Sequence, residues 1–145
     1  MQLLFTNNDM LLSRLIRRVT GEPVSHVALA VGDFVIHSRG DRGVTLETRL
    51  AFDRINRTLF TVELPDDPTV VPRIHRMERA GYDYPALVYL GIRAVLPSWL
   101  RRKLPKANLW QLSGSYICTE FITAALGQPV DSMITPYQLY KKLNG

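Results

Sequence analysis

The single cysteine of the chain, Cys118, is the first candidate for chemistry. It lies in the segment Gly-Ser-Tyr-Ile-Cys-Thr-Glu-Phe-Ile, where a Gly-Ser turn leads into an apolar helical pattern. The pattern predicts a helix over Tyr116–Leu126, with the cysteine in or just before its first turn. Unpaired amide N–H groups at a helix start stabilise a thiolate and bind a developing oxyanion. The alternative is a small buried cysteine that only packs.

His26 is the candidate base. It lies in a predicted strand, Ser25–Val31, and alternation along that strand places it on the same face as Ala28 and Ala30. These small side chains leave space in front of an imidazole. Histidine titrates near neutral pH and is the usual base for a thiol. The alternative is a hydrogen-bonded histidine with a structural role.

His37 is the third candidate, on the next predicted strand. A two-residue turn at Gly32-Asp33 makes the numbers of paired residues sum to 65, so His26 and His37 lie on one face, diagonally adjacent. His37 can then hold His26 in its productive tautomer, as the carboxylate does in a serine triad. Zinc binding by two histidines and a cysteine is a competing interpretation, but closely spaced ligand pairs are absent from the sequence, so we predict no metal. His75, in a basic helical run, is predicted to be a surface residue.

The elements that must position these residues form one predicted domain over residues 1–145, since about 150 residues is typical of a single domain. The expected class is α+β, with an antiparallel sheet of about four strands packed with helices. The predicted strands are Ser25–Val31, Phe34–Ser38, Val44–Glu47 and Leu59–Glu63, and a further short strand is allowed over Gln2–Thr6. The predicted helices are Met10–Val19, Val70–Ala80, Pro85–Leu96, Tyr116–Leu126 and Tyr137–Leu143, with Arg49–Ile55 a short helix or turn.

The charge balance favours an anionic partner. There are 18 basic residues against 13 acidic ones, and 14 of the basic residues are arginine. Phosphate, acidic cell-wall polymers, lipid headgroups and nucleic acid all fit this balance. Nucleic acid is disfavoured, because the basic residues are scattered and no nucleic-acid motif is present. The amphipathic helix Met10–Val19 carries three arginines, and either a membrane surface or solvent is expected to face them.

The targeting signals are weak. The first residues turn polar too early for a signal peptide, which predicts a cytoplasmic location. The most apolar stretch, Ala86–Leu100, is interrupted by Arg93 and Pro97 and is too short to span a bilayer. A phage-encoded or otherwise delivered protein would reconcile this location with a cell-wall substrate.

Several short motifs resemble one family. They are Ser-His-Val-Ala-Leu on the first core strand, Val-Ile-His-Ser followed by Gly-Val, the Tyr-Asp-Tyr turn, Tyr-Ile-Cys-Thr-Glu-Phe-Ile and the late Ile-Thr-Pro-x-x-Leu. The upstream Ser-Arg-Leu-Ile-Arg-Arg-Val-Thr-Gly adds to them. Together they cover nearly the whole chain. They resemble the circularly permuted branch of the NlpC-type papain-like fold, which includes the YiiX-like bacterial proteins and is related to the lecithin:retinol acyltransferase group.

The resemblance implies a role for each candidate. It makes Cys118 the nucleophile and His26 the base, with His37 in the orienting position, where many permuted members have glutamate. Tyr82 resembles a family tyrosine near the site, and Tyr82 and Thr119 are candidates for binding the substrate or its oxyanion. A tyrosine that only packs is the alternative for Tyr82.

The function expected from this resemblance is that of a cysteine peptidase or amidase that needs no cofactor. Its expected substrate is an amide bond in a peptidoglycan stem peptide or a related peptide. The expected partner is therefore a peptide or an acyl-bearing small substrate, including anionic cell-wall material. Two alternatives stay open: a lipid acyltransferase or thioesterase of the same fold, and a binding module without catalysis.

Overall fold

A computed structural model describes residues 1–77, 80–81, 85, 88–89, 92, 96–103, 117–129 and 134–145. These residues form a mixed α+β fold, as predicted, with five strands and six helices in the described ranges. The strands are β1 (Gln2–Asn7), β2 (His26–Val31), β3 (Phe34–Arg39), β4 (Gly43–Thr48) and β5 (Arg57–Glu63). The helices are α1 (Leu11–Thr20), α2 (Arg49–Ile55), α3 (Val70–Met77), α4 (Ser98–Arg101), α5 (Cys118–Ala125) and α6 (Pro136–Asn144).

The five strands form one antiparallel sheet in the order β4-β3-β2-β1-β5. The predicted number of about four strands is too low, because β1 is a full member that pairs with both β2 and β5. Its residues Leu3, Leu4 and Phe5 are all fully buried. Since successive strand residues point to opposite faces, burial of three in a row means that both faces of the sheet are covered.

Two apolar clusters cover the two faces. The larger cluster joins sheet residues, including Val27 and Leu29, to side chains of α3, α5 and α6. The smaller one contains Ala28 and Ala30 together with Phe52 of α2 and two further strand residues. The predicted alternation along β2 is therefore confirmed. It places α5 against one face of the sheet and α2 against the other.

The β2–β3 hairpin has the predicted register. The pairs Val31↔Phe34 and Leu29↔Ile36 both sum to 65, around a turn in which Gly32 has a φ of +57°. The pairing ends at Leu29↔Ile36, although both strands continue beyond it. This early end of the ladder shapes the site described below.

Helix α1 does not pack as an amphipathic helix usually does. Such a helix ordinarily turns its apolar stripe to the core. Here Ser13 is the buried residue, and its hydroxyl lies 2.6 Å from that of Ser25. Leu11 and Leu15 are instead 81% and 54% exposed. A small polar contact therefore holds the helix to the sheet, and part of its apolar face points outward.

Some predicted elements are only partly comparable with the structure. The predicted helix Val70–Ala80 corresponds to α3 over Val70–Met77, and residues 78–79 lie outside the described residues. The final helix begins at Pro136 with Thr135 as its cap. The predicted helix Pro85–Leu96, the Tyr-Asp-Tyr turn and the start of the predicted helix Tyr116–Leu126 lie wholly or partly outside the described residues. Within the described ranges, every helix is too short or too polar to traverse a lipid bilayer.

Gly43 gives a test of how β4 is fixed. It has a φ of +72°, and a Cβ at this position would collide with the carbonyl oxygen of Ala80, which accepts the Val44 N–H. We expect Gly43→Ala to lower the free energy of unfolding by about 2–4 kcal/mol, from the strained φ and the clash together. Gly32→Ala, with positive φ but open space, should cost only about 1 kcal/mol. Urea unfolding of both variants measures the difference, and equal losses would contradict the close approach of residue 80.

Candidate active site

The two candidate histidines meet on one face of the sheet. His26 is the first residue of β2, and its Nε2 lies 2.9 Å from Nδ1 of His37 on β3. The rings are 5.1 Å apart and inclined at 70°. The predicted diagonal adjacency is therefore confirmed, whereas the catalytic roles of the two residues stay predictions.

Glu47 extends this contact into a chain of three side chains. Its Oε1 lies 2.8 Å from His37 Nε2. The β3–β4 register pairs His37 with Thr45, so Glu47 lies two residues further along β4 on the same face. Phe52 packs edge-on against the His37 ring, 5.1 Å away. The sequence analysis missed Glu47, although the same parity argument, carried one strand further, would have found it.

The chain of hydrogen bonds fixes which nitrogen of each ring carries a proton. A carboxylate only accepts, so His37 donates its Nε2–H to Glu47. The Nδ1 of a neutral His37 then accepts, and His26 must donate its own Nε2–H to it. The proton-free nitrogen of a neutral His26 is therefore Nδ1. We call this chain of three residues the His-His-Glu relay.

Both histidines of the relay are neutral at neutral pH. Burial lowers the pKa of His26 well below 6.5, and the neighbouring His37 and Arg39 lower it further. Burial also lowers the pKa of His37, to about 4, with a further contribution from Arg39 and an opposing one from Asp41. Since neither ring is charged, the relay holds the tautomers assigned above.

Cys118 is the first residue of α5, and its thiol meets the sheet where β2 and β3 separate. In a two-residue hairpin the pairs outward from Val31↔Phe34 alternate in hydrogen bonding, so the Val27 N–H would next bond to Ser38. The N–H groups of Val27, of Thr119 and of Cys118 itself lie close enough to the Cys118 sulfur to lower the pKa of its thiol. Three backbone donors therefore converge on the sulfur, two of them from the start of the helix.

The thiol is nevertheless not activated in the resting protein. Burial raises the pKa of Cys118 to about 11, and the charge of Glu120 adds to the increase, while the three N–H groups oppose it. Cys118 is only 6% exposed. The start of a helix is expected to favour the thiolate. Here removal of the sulfur from water raises the pKa of the thiol by more than the helix dipole and the nearby N–H groups lower it.

Glu120 is a second residue that the sequence analysis missed. It is fully buried, and its Oε2 accepts the Ile117 N–H at 2.9 Å. The carboxylate therefore binds one of the N–H groups that precede the helix. This leaves the N–H groups of Cys118 and Thr119, rather than that of Ile117, to face the sulfur.

A cleft of about 410 Å³ opens beside the two histidines. Its walls combine polar groups with apolar side chains from the start of α1 and the end of α2. The lining residues are Asn8, Met10, Leu11, Leu12, Ser13, Ile16, Ser25, His26, His37, Ser38, Arg39, Gly40, Asp41, Ile55 and Asn56. Cys118 is not one of them, and among the described residues neither imidazole hydrogen-bonds the thiol. The structure thus joins the two histidines to the cleft, and His37 packs on Phe52 of the smaller cluster. Cys118 instead packs with Val27 in the larger cluster, which covers the other face of the sheet.

The other residues that the sequence singled out lie apart from the relay or outside the described residues. Thr119 is fully buried, and its hydroxyl finds no hydrogen-bond partner within the described part of the chain. Tyr82 lies outside the described residues. His75 is exposed on α3, as predicted. No three His, Cys, Asp or Glu side chains of the described residues cluster in a way that could hold a metal ion.

The sequence of the chain matches no protein-family model, and a comparison with curated proteins finds no match either. The geometry of the described residues is therefore the basis for the function proposed below.

The neutral histidines predict a pH dependence of stability. In the unfolded chain His37 becomes protonated as the pH falls below about 6.5, whereas in the folded protein it stays neutral until about pH 4. Because the unfolded state binds this proton more tightly, the free energy of unfolding falls as the pH falls through this window. The loss from His37 is about 3 kcal/mol, and His26 adds to it in the same direction. Urea unfolding between pH 7 and 4.5 should show a shallower pH dependence for His37→Gln than for the wild type. His75→Gln is the matched control, and equal slopes for His37→Gln and the wild type would refute the assignment.

The raised pKa of Cys118 predicts slow alkylation. In the folded protein the rate with iodoacetamide should rise about tenfold per pH unit from pH 7 to 10 without levelling off, because the thiolate is the reactive form. The urea-unfolded protein should level off near the ordinary thiol pKa of about 8.5. A plateau below pH 7 that disappears in His26→Ala would instead demonstrate a resting thiolate–imidazolium pair.

Proposed function

We propose that the protein is a cysteine-dependent hydrolase of the permuted NlpC-type papain-like class, which cleaves an amide bond through a covalent acyl-enzyme. Cys118 is the nucleophile, His26 is the base, and His37 and Glu47 are positioning residues. The direction of the hydrogen bonds in the relay is the observation that carries the proposal. It leaves His26 Nδ1 unprotonated, and the residue after His26 contacts the thiol through its N–H.

The chemistry follows from these positions. As the sulfur attacks the carbonyl carbon, the thiol proton passes to His26 Nδ1, and a C–S bond forms. The carbonyl oxygen becomes an oxyanion, for which the N–H groups at the start of α5 are the available donors. The C–N bond then breaks, and His26 returns the proton to the leaving amine. Water attacks the thioester with His26 as base, which releases the acid and restores the thiol.

The raised pKa of Cys118 and the lowered pKa of His26 shape this mechanism. Both groups are neutral before substrate binds. A separate transfer of the proton would create two buried charges, which is costly. Proton transfer and attack therefore occur together, and the charge appears on the substrate oxygen rather than on a free thiolate. His37 keeps the Nε2 proton of His26 in place throughout, since Glu47 occupies its other nitrogen.

The mixed α+β fold is compatible with this assignment, and it is also compatible with other α+β enzymes. A five-stranded antiparallel sheet carries the base on one strand and the positioning residues on the next two, and a helix that begins at the cysteine packs on β2 and β3. The order of base before nucleophile along the chain is that of the permuted branch. An amide in a cell-wall stem peptide fits the polar groups of the cleft, where Arg39 and Asp41 form an exposed ion pair at 2.8 Å.

A lipid ester or thioester is the second candidate substrate. The observation in its favour is the apolar wall of the cleft, where Leu12 and Ile16 of α1 and Ile55 of α2 lie near the histidines. Such a wall fits an acyl chain better than a peptide rich in charged groups. The same nucleophile and base would serve both reactions, and only the leaving group differs.

A substrate panel with matched variants tests the proposal. Stem-peptide amides and acyl esters of increasing chain length should show turnover by one of the two classes, and mass spectrometry of a stopped reaction should find the acyl group on Cys118. Cys118→Ser and His26→Ala should abolish turnover. Glu47→Gln should lower kcat by about 10–100-fold with little change in KM, because an amide permits both tautomers of His37. Glu63→Gln, a solvent-exposed change on β5, should leave kcat unchanged.

One outcome would contradict the role of Cys118 as a nucleophile. If neither class of substrate acylates Cys118 and Cys118→Ser binds the tested compounds as the wild type does, the cysteine is not a nucleophile. The protein would then be a binding module on this fold.

A further inference from the structure

The outward face of α1 combines exposed leucines with arginines. Arg14 and Leu15 lie three and four residues after Leu11, and Arg18 lies four and three residues after them, so the four share one side of the helix. All four are exposed, and Leu11 is the most exposed large apolar side chain among the described residues, at 81%. We call these four residues the α1 outer face. Its apolar side chains are not used by the core.

The charge of this face is uniformly positive. No acidic residue lies within α1, and Arg17 and Arg18 occupy its last turn. Arg17 points inward, where its Nη2 donates to the carbonyl oxygen of Asn8. Arg14 and Arg18 therefore carry the exposed charge, and the nearest acidic residues in sequence are Asp9, which is exposed before the helix, and Glu22, which is half-buried after it.

The end of α2 beside the cleft has the same combination of apolar and basic side chains. Ile55, at the end of α2, is half exposed and lines the same cleft as Met10 and Leu11. Arg54 and Arg57 beside it are exposed. Apolar residues next to arginines thus reach the cleft from two elements, α1 and the end of α2.

We propose that the α1 outer face docks the protein on an anionic lipid bilayer. Leu11 and Leu15 would enter the boundary between headgroups and acyl chains, and Arg14 and Arg18 would contact the lipid phosphates. An amphipathic helix with leucines on one side and arginines at their border is the type of helix that lies in a bilayer interface. The arginines complement the negative lipid surface, and each long side chain reaches a headgroup while its stem stays apolar.

The chemistry of the face favours lipid over other anions. A nucleic acid or an acidic polymer would pair with the arginines but would leave two exposed leucines in water. A bilayer satisfies both groups at once. Because Leu11 also lines the cleft, docking by this face would bring the cleft close to the lipid surface. The inference concerns binding alone and does not depend on the proposed catalysis.

Vesicle sedimentation tests the proposal with the whole chain. We expect binding to phosphatidylglycerol-containing vesicles, weak binding to pure phosphatidylcholine, and loss of affinity in 0.5 M salt. Leu11→Ser and Leu15→Ser should each weaken binding about tenfold. Arg14→Gln and Arg18→Gln should each weaken it about fivefold.

Helix α3 supplies matched controls, because it carries an exposed valine and an exposed arginine and packs on the other face of the sheet. Val71→Ser and Arg76→Gln should leave vesicle binding unchanged, and urea unfolding should show that all six variants fold. Equal affinity for the two vesicle types, or α1 variants that bind like the α3 controls, would overturn the proposal.

Two further results would also contradict the proposal: one would show a different partner for the α1 outer face, and the other a different membrane-binding segment. If the wild type self-associates without binding vesicles and Leu11→Ser makes it monomeric, a second copy covers the face and the proposal is wrong. Trp99 is exposed on α4, within the basic segment 98–103. If Trp99→Ala abolishes vesicle binding while the α1 variants retain it, this segment is the membrane contact and the α1 outer face is not.

Discussion

The arrangement of the site depends on the point at which β2 and β3 stop pairing. One more step of the ladder would use the Val27 N–H within the sheet. Because pairing ends at Leu29↔Ile36, that N–H is available to the Cys118 sulfur, and α5 can bring its first residue against the sheet. The side chains beyond the last pair still follow the alternation of the strands, so His26 and His37 stay in contact. A gap in the backbone ladder thus brings the start of a helix to the strand residue that follows His26.

The resting site is built from neutral groups, and the reason is the loss of hydration. Cys118 has three backbone donors around its sulfur, and His37 has a carboxylate beside it, yet burial determines the direction of the pKa shift for both. Donors that are too weak to ionise a buried thiol in advance can still stabilise charge that forms during a reaction, because they are already oriented. The same groups therefore account for the neutral resting thiol and, in the proposed mechanism, for stabilisation of the transition state.

Much of the sheet could be predicted from local patterns, because strand alternation and a two-residue turn fix the register. The adjacency of His26 and His37 followed from that register alone. Glu47 is not among the residues predicted from the sequence, although the alternation that places His37 beside His26 places Glu47 on the same face one strand further on. Other features depend on tertiary contacts that no local pattern encodes. The pKa of Cys118 is set by how deeply α5 is buried, and the outward turn of Leu11 is set by the contact between Ser13 and Ser25.

The order of elements along the chain also has a consequence for how the site assembles. The His-His-Glu relay lies within the continuous stretch from His26 to Glu47, a meander whose strands pair with their neighbours in sequence. Contacts between close neighbours in sequence need little loop closure, so they form early during folding and can form while synthesis continues. Cys118 joins only after a much longer segment has been ordered. Cys118 is thus the last of the candidate residues to arrive, and until then the relay lies without the thiol that the proposed mechanism requires.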